Sequence, residues 1–488
     1  MNQTVIGREP EKAILHKLWQ AQAAQFLALY GRRRIGKTYL IRQFFHNKGL
    51  YIEVTGLKDG STQEQIANFM QQVYRQFPQA LSLKIPENWH IALEIFTEQI
   101  EALPKTKKAT LFLDELPWLA TKRSGLMQAI DYFWNTRWCK LKNFRLIVCG
   151  SSASWMLDNL VHAKGGLHNR LTQSILLQPF NLHETMKYCK SLGLSLSNKQ
   201  LLELYMVMGG VPYYLNQITK SKSASQNIND ICFNKNGLLY NEFSSLFSAL
   251  FDNPEINRLI IQTIANKNHG ISREELLKQT KLSSGGRFNH RINELTASHF
   301  IQEFVPYGRT RRDIYYKIID PYTLFYLRWI EPLYKSSRQV TDKGYWLKKL
   351  NTPAYNTWSG YAFESICLNH TAQIAKALGL EHIAYETGSW QFIPRKNSQE
   401  QGAQIDLLFD RNDGIIDICE IKYCHKQYTV DKAYAKNLAN KMDVFSKHIK
   451  IKKHIHLNMI CAMGLKHNLW SDDLVQQAID LNALFAAE

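Results

Sequence analysis

Eight consecutive residues near the start of the chain have the composition of a phosphate-binding loop. The segment from Gly31 to Thr38 reads GRRRIGKT, which matches the pattern G-x-x-x-x-G-K-[ST]. Glycines let backbone N–H groups converge on an anion, and the positive end of the following helix adds to the same field. Lys37 is expected to reach the β- and γ-phosphates of ATP, and the Thr38 hydroxyl to ligate Mg²⁺. The predicted cofactor-binding residues of this loop are Gly31, Arg32, Arg33, Arg34, Ile35, Gly36, Lys37 and Thr38.

A pair of acidic residues ends a second apolar segment. Residues 109–120 read ATLFLDELPWLA, in which Asp114 and Glu115 follow a run typical of a buried strand. Ligands of doubly wound α/β folds bind at the carboxyl ends of the strands, so we expect both carboxylates beside the phosphate-binding loop. Asp114 is predicted to hold Mg²⁺, and Glu115 to orient or deprotonate the attacking water. The alternative is that the acidic pair only caps a helix.

Two further residues are candidates for contact with the γ-phosphate. Ser151 follows the apolar segment FRLIVCG, and a polar group at this place could hydrogen-bond the γ-phosphate or the attacking water. Arg170 follows a glycine-rich segment and precedes another predicted strand, where an arginine could act as a finger on the γ-phosphate of a neighbouring subunit or domain. The alternatives are an ordinary Gly-Ser-Ser turn and an ordinary surface arginine.

A second pattern of carboxylates and a lysine lies near the end of the chain. The predicted helix WSGYAFESICLNH carries Glu364, and the predicted strand QIDLLFDR carries Asp406. The next strand, IIDICEIKYC, carries Glu420 and Lys422 two residues apart, so strand alternation places both on one face. Asp406 and Glu420 are candidate ligands of Mg²⁺ or Mn²⁺. Lys422 could hold a nucleophilic water or offset the developing phosphorane charge, and Glu364 would complete the metal or water shell. The alternative is a solvated strand face.

The elements that must position these residues indicate an α/β protein of three domains. Residues 1–220 are predicted to form a P-loop parallel sheet with a helical extension. Residues 250–330 read as three helices followed by two strands around a basic turn, and residues 335–488 as a smaller α/β domain. Each of the two acidic patterns therefore falls in a domain of its own.

Basic and polar residues mark the middle domain. Its second helix begins with Ser272 and Glu275, a capping-box signature. The third helix and the turn between the strands carry the candidate DNA contacts Arg287, Asn289, His290, Arg291, Arg309, Arg311 and Arg312. The order of elements resembles a winged helix-turn-helix, which implies a third helix in a major groove and a wing on phosphates. The alternative is a module that only packs against the ATPase or contacts other proteins.

Composition and charge limit the class of protein. A net charge of +18 over 488 residues favours a polyanionic partner such as DNA. The eight cysteines show no paired metal-type spacing, which is typical of a protein of the reducing cytosol. The polar N-terminal segment has no apolar signal core, and no apolar run reaches the ~20 residues of a membrane span. We therefore expect a soluble, cytoplasmic protein without a membrane partner.

Five motifs occur in a specific order over about the first 220 residues: VIGRE, GRRRIGKT, LFLDELPWL, CGSSASWM and GGVPYYL. This set resembles the archaeal-type P-loop ATPase family, which is related to AAA+ and STAND ATPases. The resemblance implies an ATP-hydrolysing core followed by a helical or winged-helix segment, with the Gly-Arg-Glu box helping to wall the adenine. It also leaves open a homo-oligomer, in which Arg170 would act in trans.

The C-terminal pattern resembles the PD-(D/E)XK nuclease superfamily, and in particular the DUF234 domain that follows archaeal-type ATPases. The proline that often precedes the motif aspartate is replaced by Ile405. The resemblance implies a restriction-endonuclease-like fold with Glu364, Asp406, Glu420 and Lys422 at its centre. The chain is thus expected to be an ATPase coupled to a DNA-binding winged helix and a metal-dependent nuclease. The alternative is a STAND-like regulatory switch that binds DNA or protein without cleaving it.

Overall fold

The computed structural model of the protein describes residues 5–80, 84–162, 169–310, 312–335, 344–394, 400–450 and 452–487. The chain divides into two compact units. The first comprises the residues up to Pro179 together with Ala249–Asp252 and Ile292–His299. The second comprises Phe180–Ser248, Asn253–Arg291 and the chain from Phe300 onward.

A five-stranded parallel sheet forms the centre of the first unit, as the sequence predicts. Its strands are β1 Gln25–Tyr30, β2 Leu50–Thr55, β3 Ala109–Asp114, β4 Phe144–Gly150 and β5 Gln173–Leu176. They lie in the order β2-β3-β4-β1-β5, and every pairing is parallel. β4 lies between β1 and β3, so the carboxyl ends of these three strands meet at one edge of the sheet.

Helices cover both faces of this sheet. They are α1 Glu9–Gln20, α2 Lys37–Phe45, α3 Thr62–Gln76, α4 Trp89–Glu101, α5 Leu116–Leu119, α6 Leu126–Thr136 and α7 Ala153–Met156, with shorter turns at Pro78–Ala80, Trp138–Lys140 and Leu157–Val161. Alternate residues of β1 enter two separate cores. Phe26 and Ala28 pack with α3, α4 and α6, whereas Leu27 and Leu29 pack with α1 and α2. Because both faces are covered, the central strands are buried apolar runs.

A helical segment opens the second unit. It contains α8 Leu182–Ser191, α9 Asn198–Met208, α10 Pro212–Leu215, α11 Ala224–Cys232 and α12 Leu238–Leu250, whose last two residues belong to the first unit. The Gly-Gly-Val-Pro sequence ends α9, and α10 starts at its proline. A Cβ atom on Gly210 would lie 1.8 Å from the Phe180 carbonyl oxygen, so this break accepts only glycine there.

The middle segment has three helices and a small antiparallel sheet. The helices are α13 Pro254–Ala265, α14 Arg273–Thr280 and α15 Gly286–Ala297; the strands are β6 Ile271–Ser272, β7 Ile301–Phe304 and β8 Tyr315–Ile318, in the order β6-β8-β7. Ser272 caps α14, since its hydroxyl accepts from the Glu275 N–H at 3.2 Å. The helices and the hairpin lie where the sequence predicts them.

The C-terminal part contains a mixed five-stranded sheet. Its strands are β9 Tyr385–Phe392, β10 Ala403–Arg411, β11 Ile415–Lys422, β13 His454–Cys461 and β15 Gln477–Ile479; β12 Tyr428–Thr429 and β14 Leu465–Lys466 pair separately. The order is β15-β13-β11-β10-β9, with β9, β10 and β11 antiparallel and β11, β13 and β15 parallel.

The remaining helices are α16 Pro321–Phe325, α17 Glu331–Lys335, α18 Tyr345–Lys349, α19 Pro353–Asn369, α20 Thr371–Ala377, α21 Lys432–Ile449, α22 Leu469–Leu474 and α23 Leu481–Leu484, with a π-helical turn at Tyr326–Ile330. Helix α21 packs on the C-terminal sheet through Leu438 and Phe445, which share a core with Leu408 and Ile418. Among the described residues, no helix combines the length and the apolar character that crossing a bilayer requires.

Candidate functional site

The phosphate-binding loop connects β1 to α2. Gly36 has a φ of 91° and Gly31 a φ of 142°, both in the left-handed region that favours glycine. A Cβ atom on Gly31 would also lie 2.3 Å from the Leu177 carbonyl oxygen. Arg34 is a non-glycine residue with positive φ, at 71°. The two motif glycines are therefore required by the path of the loop.

Lys37 lies inside the curve of this loop and is buried. Its Nζ donates to the carbonyl oxygens of Gly31 at 2.9 Å and Arg32 at 2.8 Å, and to the Ser151 hydroxyl at 3.2 Å. Burial lowers the pKa of Lys37, and the nearby acidic groups of Asp114 and Glu115 oppose that shift. An ammonium group satisfied by neutral oxygens is ready to exchange some of them for phosphate oxygens.

Thr38 and Asp114 meet at the edge of the sheet. The Thr38 hydroxyl donates to the Asp114 carboxylate at 2.8 Å, and Asp114 is 4% exposed. Burial raises the pKa of Asp114, and the Thr38 hydrogen bond acts in the opposite direction. A hydroxyl and a carboxylate side by side are hard oxygen ligands, so the pair fits Mg²⁺ held with a nucleotide.

Glu115 does not act as a simple helix cap. The backbone of Glu115 has a left-handed φ of 49°. Its carboxylate accepts from the Ser151 N–H at 3.1 Å and from the Ser151 hydroxyl. Asp114 in turn accepts from the Glu115 N–H at 3.1 Å. Ser151 thus links Glu115 to Lys37. The structure brings together five of the residues predicted for nucleotide chemistry, at the ends of β3 and β4 and on α2: Lys37, Thr38, Asp114, Glu115 and Ser151.

The other predicted residues of the first unit lie at varied positions around this group. Arg32 and Ile35 are buried, and the Arg33 guanidinium lies 5.7 Å from the centre of the Trp118 ring. Arg170 is exposed in the turn before β5. Arg8, from the Gly-Arg-Glu box, is buried and donates to the Ile35 carbonyl at 3.3 Å, so the box contacts the loop directly.

Glu420 is the most enclosed residue of the C-terminal pattern, with 3% of its side chain exposed. Its Oε1 lies 2.8 Å from Lys422 Nζ and accepts from the Tyr434 hydroxyl at 2.5 Å. Its Oε2 accepts from Lys441 Nζ at 2.8 Å. Although desolvation opposes ionisation, the two lysines hold the pKa of Glu420 below its usual value. Glu420 and Lys422 share a strand face, as the alternation predicts.

Asp406 and Glu364 lie beside this ion-paired group. Asp406 accepts from the Ile421 N–H at 3.5 Å and from the Gln404 amide at 3.1 Å. Desolvation and the neighbouring Glu420 raise the pKa of Asp406 to about 6. Desolvation and Asp406 raise the pKa of Glu364 to about 8. All four predicted residues line one cavity of about 310 Å³.

The carboxylate oxygens in this cavity are of the type that binds a hard divalent cation. In the present structure, however, lysines occupy the positions around Glu420 that a cation would need. Among the described residues, no three His, Cys, Asp or Glu side chains are grouped so that they could hold a metal ion. Both oxygens of Glu420 already contact lysines. A cation held by Asp406 and Glu420 would therefore have to replace at least one lysine contact.

Sequence reasoning missed Lys441 and His269, which line this cavity, and Tyr434, which donates to Glu420. Tyr434 and Lys441 are seven residues apart on α21, so the helical period places them on one face; that signal was available in the sequence. His269 lines the same cavity from the loop after α13, and its ring lies 2.6 Å from the Gln404 amide. No local pattern identifies His269, since it comes from a different part of the chain.

The predicted DNA contacts of the middle segment are mostly exposed. Arg287, Asn289, His290, Arg309 and Arg312 are exposed, Arg291 is half-buried, and Arg311 lies outside the described residues. The hairpin is held near its tip, where the Tyr307 N–H donates to the Ser389 carbonyl at 2.8 Å and its hydroxyl to Asp410 at 2.8 Å. The hairpin therefore packs against β9 and β10.

Comparison with protein families agrees with the geometry of the first unit. Residues 6–218 match the model of a family described as an ATPase domain predominantly from Archaea. This segment is a P-loop ATPase domain. The match covers the Gly-Arg-Glu box, the phosphate-binding loop, Asp114, Glu115 and Ser151. ATP binding and hydrolysis are thus assigned to the ATPase domain, and the sequence prediction of a parallel-sheet P-loop fold is confirmed.

Two proteins of Methanocaldococcus jannaschii are similar to the chain. One, described as uncharacterized, is 23% identical over 428 residues, which cover 86% of this chain and 87% of that one. The other, described as an uncharacterized ATP-binding protein, is 44% identical over 43 residues, or 9% of this chain and 73% of that one.

Two solved structures also resemble parts of the chain. A Walker-type ATPase of Pyrococcus abyssi is 19% identical, covers 66% of this chain and 96% of its own, and has a TM-score of 0.47. The ORC2 protein of Aeropyrum pernix is 12% identical, covers 67% of this chain and 95% of its own, and has a TM-score of 0.41.

Proposed function

We propose that the protein is a cytoplasmic enzyme that couples ATP binding and hydrolysis to metal-dependent cleavage of DNA. The ATPase domain would supply the nucleotide site, residues 250–330 a DNA-binding winged helix, and residues 335–488 a nuclease domain of the PD-(D/E)XK and DUF234 type. The observation that carries the proposal is the convergence of Glu364, Asp406, Glu420 and Lys422 on one cavity.

The residues of this cavity have separate roles. Asp406 and Glu420, on adjacent antiparallel strands, would hold Mg²⁺ or Mn²⁺, and Glu364 would complete the shell from α19. When bound, such a cation polarises the phosphodiester and activates a water. Lys422 would orient that water or offset the negative charge that grows on the phosphorus centre. Release of Lys422 from Glu420 would free its ammonium for this role.

In the ATPase domain, Lys37 would contact the β- and γ-phosphates while Thr38 and Asp114 hold Mg²⁺. Glu115 would orient the attacking water, and Ser151 would contact the γ-phosphate or that water. Arg170, exposed before β5, would stabilise the transition state from a neighbouring subunit of a homo-oligomer or from the same chain. ATP binding would favour one arrangement of the domains, and hydrolysis would restore the other.

Plasmid cleavage tests the nuclease assignment. The full-length protein is incubated with supercoiled plasmid and Mg²⁺ or Mn²⁺, with and without ATP. Nicking that Asp406→Asn abolishes, but Asp443→Asn leaves intact, supports the proposal; Asp443 is an exposed carboxylate of α21. Metal-dependent nicking that survives both Asp406→Asn and Lys422→Ala would place the activity elsewhere.

A second function is favoured by the ion pairs of Glu420. Both oxygens of Glu420 contact lysines, so its charge is already balanced without a metal ion. In that case the protein is a STAND-like switch that binds DNA or protein without cutting it. ATP-dependent oligomerisation or DNA binding without nicking at any divalent-cation concentration would favour the switch.

A further inference from the structure

A second cavity adjoins the cavity of about 310 Å³ lined by Glu364, Asp406, Glu420 and Lys422, which we call the carboxylate cavity. The two share four lining residues: His269, Glu364, Gln404 and Asp406. The second cavity, of about 210 Å³, is lined mainly by the β7–β8 hairpin and by β9. Its walls carry four aromatic rings, those of Phe304, Tyr315, Trp390 and Phe392. We refer to it as the aromatic cavity.

Three of the four rings of the aromatic cavity are partly accessible, whereas Trp390 is buried. Phe304 and Tyr315 lie 5.9 Å apart between ring centres, and both are half-buried. Phe392 is also half-buried and stacks on His448 at 3.8 Å. Ring faces that are accessible inside a concave site are suited to stacking on a planar ligand such as a nucleobase.

Two cations stand at the walls of the same cavity. Lys317 Nζ lies 4.9 Å from the centre of the Phe304 ring, and it interacts electrostatically with Glu364 and Asp406. Arg309, in the hairpin turn, is exposed. A lysine beside the carboxylates and an arginine nearer solvent form a short positive path for a phosphate backbone.

We propose that the aromatic cavity binds one unpaired nucleotide of a DNA strand, so that its neighbouring phosphodiester lies at the carboxylate cavity. The β7–β8 hairpin is then part of the substrate site and selects single-stranded or frayed DNA. A duplex is too wide to enter a cavity of about 210 Å³, whereas a volume of this order can take a single base. The placement of a phosphodiester at the carboxylate cavity rests on the proposed nuclease function.

DNA binding without divalent cations tests the proposal directly. Fluorescence anisotropy compares full-length protein binding to a labelled oligothymidine and to a blunt duplex of equal length, in EDTA. Phe304→Leu and Lys317→Met should each weaken single-strand binding about 5-fold or more while duplex binding stays unchanged. Tyr213→Leu, an exposed aromatic of the same unit outside the cavity, should bind like the wild type.

The two variants guard against a folding defect, because Phe304→Leu alters a ring and Lys317→Met only a charge. Thermal unfolding of each variant is measured alongside. If both bind oligothymidine as tightly as the wild type, the aromatic cavity is not a nucleotide site. If wild-type protein never nicks DNA but Phe304→Leu still loses single-strand affinity, the nuclease proposal fails and the aromatic cavity stands. If Asp406-dependent nicking occurs but Phe304→Leu binds and nicks normally, the nuclease proposal stands and the aromatic cavity is not a nucleotide site.

Discussion

The two acidic sites of this protein balance their charges in different ways. In the ATPase domain, the Lys37 ammonium is held by two carbonyl oxygens and a hydroxyl, and Asp114 and Glu115 are held by hydroxyl and N–H groups. In the C-terminal cavity, Glu420 is neutralised directly by two lysines. Opposite charges are kept apart in the first site and paired in the second.

This difference has a chemical consequence. Neutral hydrogen bonds can be replaced by contacts with a ligand at a small cost in free energy. The folded protein is destabilised, however, when a buried carboxylate loses a charged partner that nothing replaces. The first site is therefore ready for a nucleotide and its metal. Under the proposed nuclease function, the second site would have to exchange a lysine contact for a cation before cleavage.

The largest effect is expected from Lys37→Ala. Because Lys37 contacts the transferred phosphate in our account, ATP turnover should fall by about 100-fold or more. Phosphate release measures this, with Lys58→Ala, an exposed lysine of the same unit, as the matched control. Unchanged turnover in Lys37→Ala would show that Lys37 has no role in ATP hydrolysis.

Glu115→Gln should separate binding from hydrolysis. The amide can still accept from Ser151, so nucleotide affinity should be retained while turnover falls by about 100-fold, the usual size of a general-base contribution. Binding of a fluorescent ATP analogue and phosphate release measure the two quantities. Parallel loss of both would mean that Glu115 supports the loop instead of activating water.

Lys441→Met tests whether a lysine competes with a cation at the second site. It leaves Glu420 with one cationic partner, so the metal-free protein should lose about 1–3 kcal/mol of unfolding free energy, less than for a fully buried pair because Lys441 is partly exposed. Mn²⁺ should bind severalfold more tightly than in the wild type, since one competing ammonium is gone. Denaturant unfolding and isothermal titration measure both. Weaker Mn²⁺ binding would show that Lys441 does not compete with a cation.

Stability should also depend on pH through Glu364. The pKa of Glu364 is raised from 4.5 to about 8, so the folded state keeps a proton that the unfolded state releases. The resulting stabilisation is present below 4.5 and is lost as the pH rises toward about 8. The melting temperature of the metal-free wild type should fall over this pH range, and the melting temperature of Glu364→Gln should fall by less. An equal slope in both proteins would assign the dependence to other groups.

Sequence could predict the first site more fully than the second, for a physical reason. A phosphate-binding loop is a continuous segment, and Asp114 and Ser151 end apolar strands whose parallel packing brings their ends together. At the second site, strand alternation predicts that Glu420 and Lys422 lie on one face. His269, in the loop after α13, and Lys317, on β8, come from the middle segment, and only tertiary packing brings them beside the carboxylates. The assignment of Arg170 and the division into three domains stay predictions.

Electron paramagnetic resonance of bound Mn²⁺ distinguishes a protein with one metal-binding centre from a protein with two. With a non-hydrolysable ATP analogue, the wild type should bind Mn²⁺ at two independent sites. Thr38→Ala should remove the nucleotide-dependent site alone, and Asp406→Asn the nucleotide-independent site alone. A single site in the wild type, or a stoichiometry that Asp406→Asn leaves unchanged, would contradict the existence of a second metal-binding centre.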